Sequence, residues 1–158
     1  MANKRLATYL NNHLAASVTV LDLLASLEDD QGDTDIAHFA AALRAEIEEE
    51  QRLLKTIMDQ LEITHNRPRQ AIGRLAEKLA QVKLSWDDAQ EGSLHLLESL
   101  EVVLTGLEGK RGLWSALAAA AIPGLPAAEY ERLVKRSQDQ QQRVEAVRLA
   151  AAKQAFAG

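Results

Sequence analysis

Four long stretches of this chain carry inward-type residues at alternating steps of three and four. That spacing draws one stripe along an α-helix and demands other helices to cover it. Over 3–28 the stripe reads Leu6, Leu10, His13, Ser17, Val20, Leu24, Leu27. Over 34–63 it reads Ile36, Ala40, Leu43, Ile47, Glu50, Leu54, Ile57, Leu61. Over 93–120 it reads Leu96, Leu100, Val103, Leu107, Lys110, Trp114, Leu117. Over 126–156 it reads Tyr130, Leu133, Ser137, Gln140 or Gln141, Val144, Val147, Ala151. A shorter helical pattern covers 68–83. No segment alternates apolar and polar residues as a half-buried strand would. The expected fold class is therefore all-α, with 1–158 as one helical domain.

Punctuation separates these stretches. EDDQGDTD (28–35) is a polar turn around Gly32, and Asp33 or Thr34 can cap the helix that follows. HNRP (65–68) ends a helix, and Pro68 suits the start of another. SWDDAQEGS (85–93) is a polar linker. AIPGLP (121–126) is a short break, with Pro126 placed to open the last helix. The first two long helices thus form one hairpin and the last two another. The short 68–83 helix has the reach of a crossover between them.

Hairpin geometry sets which polar interruptions share a height. A turn centred between residues 31 and 32 pairs Leu27 with Ile36, Val20 with Leu43, Leu6 with Ile57 and His13 with Glu50. A turn near residues 123 and 124 pairs Trp114 with Leu133, Val103 with Val144 and Lys110 with Ser137. With a crossover, the two turns fall at opposite ends of a bundle about 42 Å long. His13 and Glu50 then lie about 27 Å from one turn, and Lys110 and Ser137 about 20 Å from the other. The candidate site is accordingly one buried polar layer of His13, Glu50, Lys110, Ser137 and Gln141. Within it, Lys110 either supplies positive charge to Glu50 or extends its ammonium outward along the helix.

The remaining features have surface or packing readings. In AEIEEEQRLL (45–54), Glu48 and Glu49 face away from the stripe and Glu46 flanks it, so these three and Arg52 read as a solvated face. Arg67, Arg69, Arg74, Lys78 and Lys83 make the crossover region basic, which also reads as surface. Gly106, Gly109 and Gly112 either let a helix approach closely or, at Gly109, end one helix and begin another. His38 and His65 have no second ligand at metal spacing, and His95 has only Glu98 three residues on. With 18 basic and 23 acidic residues, broad binding to nucleic acid or an anionic membrane is not expected. There is no cysteine, hence no disulfide, thiolate metal site or cysteine nucleophile. No signal sequence or membrane span is evident, and a cytoplasmic location is expected. Small residues on the flanks (Ala15, Ala16, Ala40, Ala41 and Ala118 to Ala121) favour close helix packing, within the chain or in a homodimer.

The segments YLNNHLAASVTVLDLL (9–24) and GKRGLWSAL (109–117) resemble a group of uncharacterised bacterial proteins of the ferritin-like superfamily. The layout of two hairpins and one crossover fits that superfamily over the whole chain. The resemblance implies a ferritin-like antiparallel four-helix bundle. Its metal-binding members hold di-iron or di-manganese with a glutamate from each of two helices and a Glu-x-x-His from each of the others. Here the first helix offers His13 in place of a glutamate. The second offers Glu46-x-x-Glu49 or Ile47-x-x-Glu50, without histidine. Glu98 and Glu101 flank their own stripe, and the last helix offers Gln138, Gln141 and Gln142. The expectation is a metal-free, non-catalytic bundle, without a cofactor, that works by association or as a scaffold. The alternative is a di-metal carboxylate oxidoreductase or metal-storage protein with a divergent site.

Overall fold

Each helix begins and ends where its local chemistry dictates. In the computed structural model, which describes residues 3–32, 34–66 and 92–157, Asn3 opens helix α1 (Lys4–Asp30). Its side-chain oxygen accepts from the Arg5 amide at 2.9 Å, satisfying an amide that has no partner inside the helix. Gln31 closes α1, and Gly32 turns the chain with φ of 62°. A left-handed residue of this kind is cheapest as glycine. Thr34 caps α2 (Asp35–Gln60) by accepting from the Ala37 amide at 3.2 Å, and Asp35 adds negative charge to the first turn. Helix α3 (Gly92–Ala119) is continuous through Gly106, Gly109 and Gly112, so Gly109 is not a helix end. Pro126 precedes α4 (Ala127–Ala155), occupying the cap position with extended backbone. The expected crossover helix at 68–83 and most of the 85–93 linker lie outside the described residues.

All the regular structure among the described residues is α-helical. None of these helices is long and apolar enough to cross a membrane. α1 packs along α2, α3 along α4, and α1 against α3. α2 and α4 are joined by long polar side chains, described below.

The apolar core falls into two clusters along the bundle. One gathers Val20, Leu24, Leu27, Leu43, Ile47, Leu100, Val103, Leu107 and Val144. The other gathers Leu10, Leu14, Leu54, Ile57, Leu113, Trp114, Tyr130 and Leu133. The break comes at mid-length on every helix: after Leu14 on α1, Ile47 on α2, Leu107 on α3 and Leu133 on α4. What fills the break is polar: Ser17, Glu50, Lys110, Ser137 and Gln140 stand between the two clusters in their respective helices.

Candidate functional site

Glu50 is the centre of that break. Its side chain is 2% exposed, one step of three beyond the buried Ile47 and one of four before the buried Leu54. Taking a lone carboxylate out of water is costly, so it must be met by charge or donors. Lys110 on α3 meets it: the ammonium donates to Glu50 Oε2 at 2.7 Å, and the lysine side chain is 13% exposed. Of the two orientations open to Lys110, the inward one is occupied. Burial pulls the lysine pKa below its ordinary value, and the adjacent Glu50 carboxylate pulls it back up.

Gln140 on α4 closes the triangle. Its Nε2 donates to Glu50 Oε2 at 3.1 Å and to Glu46 Oε1 at 3.3 Å, and its Oε1 accepts from Lys110. Gln140 and Ser137 are both fully buried, whereas Gln141 reaches the surface and donates to Glu108 at 2.7 Å. Gln141 therefore leaves the expected layer and Gln140 takes its place. Adjacent helix residues point about 100° apart, so only one of the two can face inward. Ser137 stays in the layer but spends its hydroxyl on the Leu133 carbonyl of its own helix, at 3.0 Å.

His13 is half-buried, its ring edge-on to Tyr9 with centroids 4.6 Å apart. Burial lowers its pKa, which keeps the imidazole neutral at pH 7. The α1 side chain bonded to this stretch of α2 is Ser17, whose hydroxyl accepts from Gln51 at 2.8 Å. Nearer the turn, Arg44 bonds Glu28 at 2.9 Å. Both pairs lie several residues beyond the register that the turn centre implies. Helical side chains lean toward the N-terminus of their own helix. Two long side chains on helices joined by a turn therefore meet ahead of their Cα heights, which shifts His13 off the expected level. His13 still lines one cavity with Glu50 and Lys110.

Glu46 departs from the solvated reading, whereas Glu49 stays 64% exposed as that reading expects. Arg143 holds Glu46 through two bonds of 2.8 Å, and Arg136 lies 3.6 Å from Glu46 and 3.3 Å from Glu49. The Arg143 hydrogen bond, helped by Gln140 and the charge of Arg136, pulls the Glu46 pKa down to about 2. Glu48 turns the other way and pairs with Arg44 at 2.9 Å. Around the layer, Glu46, Glu49 and Glu50 are thus matched by Lys110, Arg136 and Arg143. The signal for this zipper lies in the spacing of α4. Arg136, Gln140 and Arg143 sit at steps of four and three, as do the inward residues.

Asn11 lies off the inward stripe of α1 and is nonetheless buried. It is 6% exposed and donates to the Thr64 carbonyl at 3.0 Å, and its side-chain oxygen accepts from the Asn66 amide at 2.7 Å. It thereby fastens the segment after α2 to α1. His65, nearby, lies 2.9 Å from Asp59.

No protein-family model matches the chain, and neither a curated protein nor a solved structure matches it. The site's chemistry must speak through its own atoms. Among the described residues, no three histidines or carboxylates converge as metal ligands. The inward carboxylate faces an ammonium and an amide, and His13 faces a phenol ring. That donor set does not fit a di-iron or di-manganese pair. A bound dication would have to displace the Lys110 ammonium from Glu50 or leave two cations in contact.

Proposed function

We propose that this protein is a metal-free, non-catalytic member of the ferritin-like superfamily: an antiparallel bundle of two helical hairpins, working in the bacterial cytoplasm by association. The observation that carries the reading is the Lys110 ammonium on Glu50, 2.7 Å from its carboxylate, in the bundle interior where metal-binding ferritin-like proteins build their sites. A built-in cation gives the buried carboxylate its counter-charge and leaves no pair of open coordination positions. The bond partners support the antiparallel arrangement: Arg44 with Glu28 and Gln51 with Ser17 run in opposite senses along α1 and α2. So do Gln141 with Glu108 and Arg148 with Glu101 along α4 and α3.

Association is expected to be with a second copy of the chain. Val18, Leu149 and Phe156 are the large apolar side chains left exposed among the described residues, and a homodimer would cover some of them. Metal analysis of protein purified without chelator tests the first part. Substoichiometric iron, manganese and zinc, with a melting temperature that a chelator does not change, is the expected result. A stoichiometric metal would select the di-metal oxidoreductase or storage reading instead. Light scattering at high protein concentration tests the second part, and a monomer mass removes it.

A further inference from the structure

The polar layer does not use all of Glu50. Oε2 takes both Lys110 and Gln140, while Oε1 is buried without a hydrogen-bond partner. Beside it lies a cavity of about 210 Å³ between α1, α2 and α3. Small residues on two of its walls leave the space open: Ala15, Ala16 and Ser17 line it from α1, and Gly106 and Gly109 line it from α3. Val20, Ile47, Leu54 and Leu113 give it apolar walls.

A second orphan atom belongs to the same lining. Trp114 is 1% exposed, and its indole Nε1–H has no hydrogen-bond partner. Elsewhere in the lining, Ser17 is engaged with Gln51, Lys110 with Glu50 and Gln140, and Thr19 and Thr105 with carbonyls of their own helices, while Asn12 and His13 add further polar groups. The lining residues thus include a buried open acceptor, Glu50 Oε1, and a buried open donor, Trp114 Nε1–H, beside largely apolar walls. Buried waters need two to four polar partners each, so water alone would fill such a space poorly. Charge selects further. The Glu50 oxygen repels an anion, the Lys110 ammonium repels a cation, and the nearby His13 is neutral.

We propose that this cavity binds a small uncharged molecule, an alcohol or phenol, whose hydroxyl donates to Glu50 Oε1 and whose apolar body fills the space between Ile47, Leu54 and Leu113. The hydroxyl also matches the open Trp114 donor in kind. This goes beyond the metal-free reading and is measured separately from it, since metal content and ligand binding are different quantities.

The test uses the full chain and two probes of nearly equal size, phenol and toluene, titrated by calorimetry and by amide NMR. Phenol is expected to bind once per chain in the range of about 1 mM or tighter. Its shifts should centre on the amides of Ser17, Gln51, Gly106 and Lys110. Toluene, lacking the donor, should bind at least about tenfold more weakly, because it leaves a buried charged acceptor unmet. Equal affinity for the two probes would remove Glu50 as the recognition element. No phenol binding, or shifts centred away from these helices, would overturn the cavity as a ligand site.

Discussion

At the residue scale, the relation between Lys110 and Glu50 governs the centre of the molecule. Replacing Lys110 by Met removes the counter-charge from a carboxylate that is 2% exposed. The expected cost is about 3 kcal/mol, since an uncompensated buried charge remains. Adding Glu50→Gln should recover part of that loss, and urea unfolding of the two single variants and the double variant should give a coupling of about 1 to 3 kcal/mol. Additive effects would mean that the pair does not act as a unit. The inward position of Glu50 is legible in the sequence because Ile47 and Leu54 bracket it at helical steps. The choice between Gln140 and Gln141 is not, because both fit a stripe of threes and fours and only their rotation relative to Glu50 separates them. The height of His13 is not legible for a different reason. Backbone counting locates Cα atoms, whereas the bonds are made by side chains that lean toward their N-termini.

At the element scale, Val20 of α1 packs directly against the backbone of Gly106 on α3. A Cβ built on Gly106 would collide with the Val20 Cγ2 methyl, whereas one on Gly112 meets nothing. The two glycines therefore predict opposite outcomes. Gly106→Ala should destabilise by about 1 to 3 kcal/mol through overpacking. Gly112→Ala should stabilise by up to about 1 kcal/mol through helix propensity. Melting temperatures of the two variants decide this, and two shifts of the same sign would contradict the packing. The segment after α2 is tied to α1 by the Asn11 side chain. Asn11→Ala should free the Thr64 carbonyl and the Asn66 amide, costing about 1 to 3 kcal/mol. Hydrogen exchange at Asn66 should quicken more than exchange in the middle of α3. The four long helices are legible from periodicity and punctuation, with ends within three residues of Lys4–Asp30, Asp35–Gln60, Gly92–Ala119 and Ala127–Ala155. The α2–α4 contact is less legible, because charged residues at helical spacing look like solvated faces until both faces are known to oppose one another.

At the scale of the whole molecule, the ionic seam and the buried bases set how stability depends on pH, and their signs agree on the acid side. Glu46 and Glu108 have pKa values of about 2 in the fold, against an ordinary 4.5. A carboxylate with a depressed pKa contributes stability above its unfolded value, and that contribution is lost as pH falls from about 4.5 toward 2. For the largely shielded Glu46 the amount is about 2 to 3 kcal/mol. Glu108 is more than half exposed and contributes less. His13 and His95 are lowered by burial, so the fold resists protons that the unfolded chain accepts below its ordinary value of 6.5. Stability therefore begins to fall below about pH 6.5 and continues to fall through the carboxylate window. Lys110 works at the other end. Its lowered pKa means that stability rises as pH climbs from that depressed value toward 10.5. Urea midpoints taken from pH 7 down to pH 3 should decline in two stages, a shallow one from the histidines and a steeper one from the carboxylates. Glu46→Gln should lower stability at pH 7 yet flatten the steeper stage, because the group that loses its charge there is gone. If the variant's midpoint falls between pH 4.5 and 3 as steeply as the wild-type midpoint, the α2–α4 seam is not what acid dissolves.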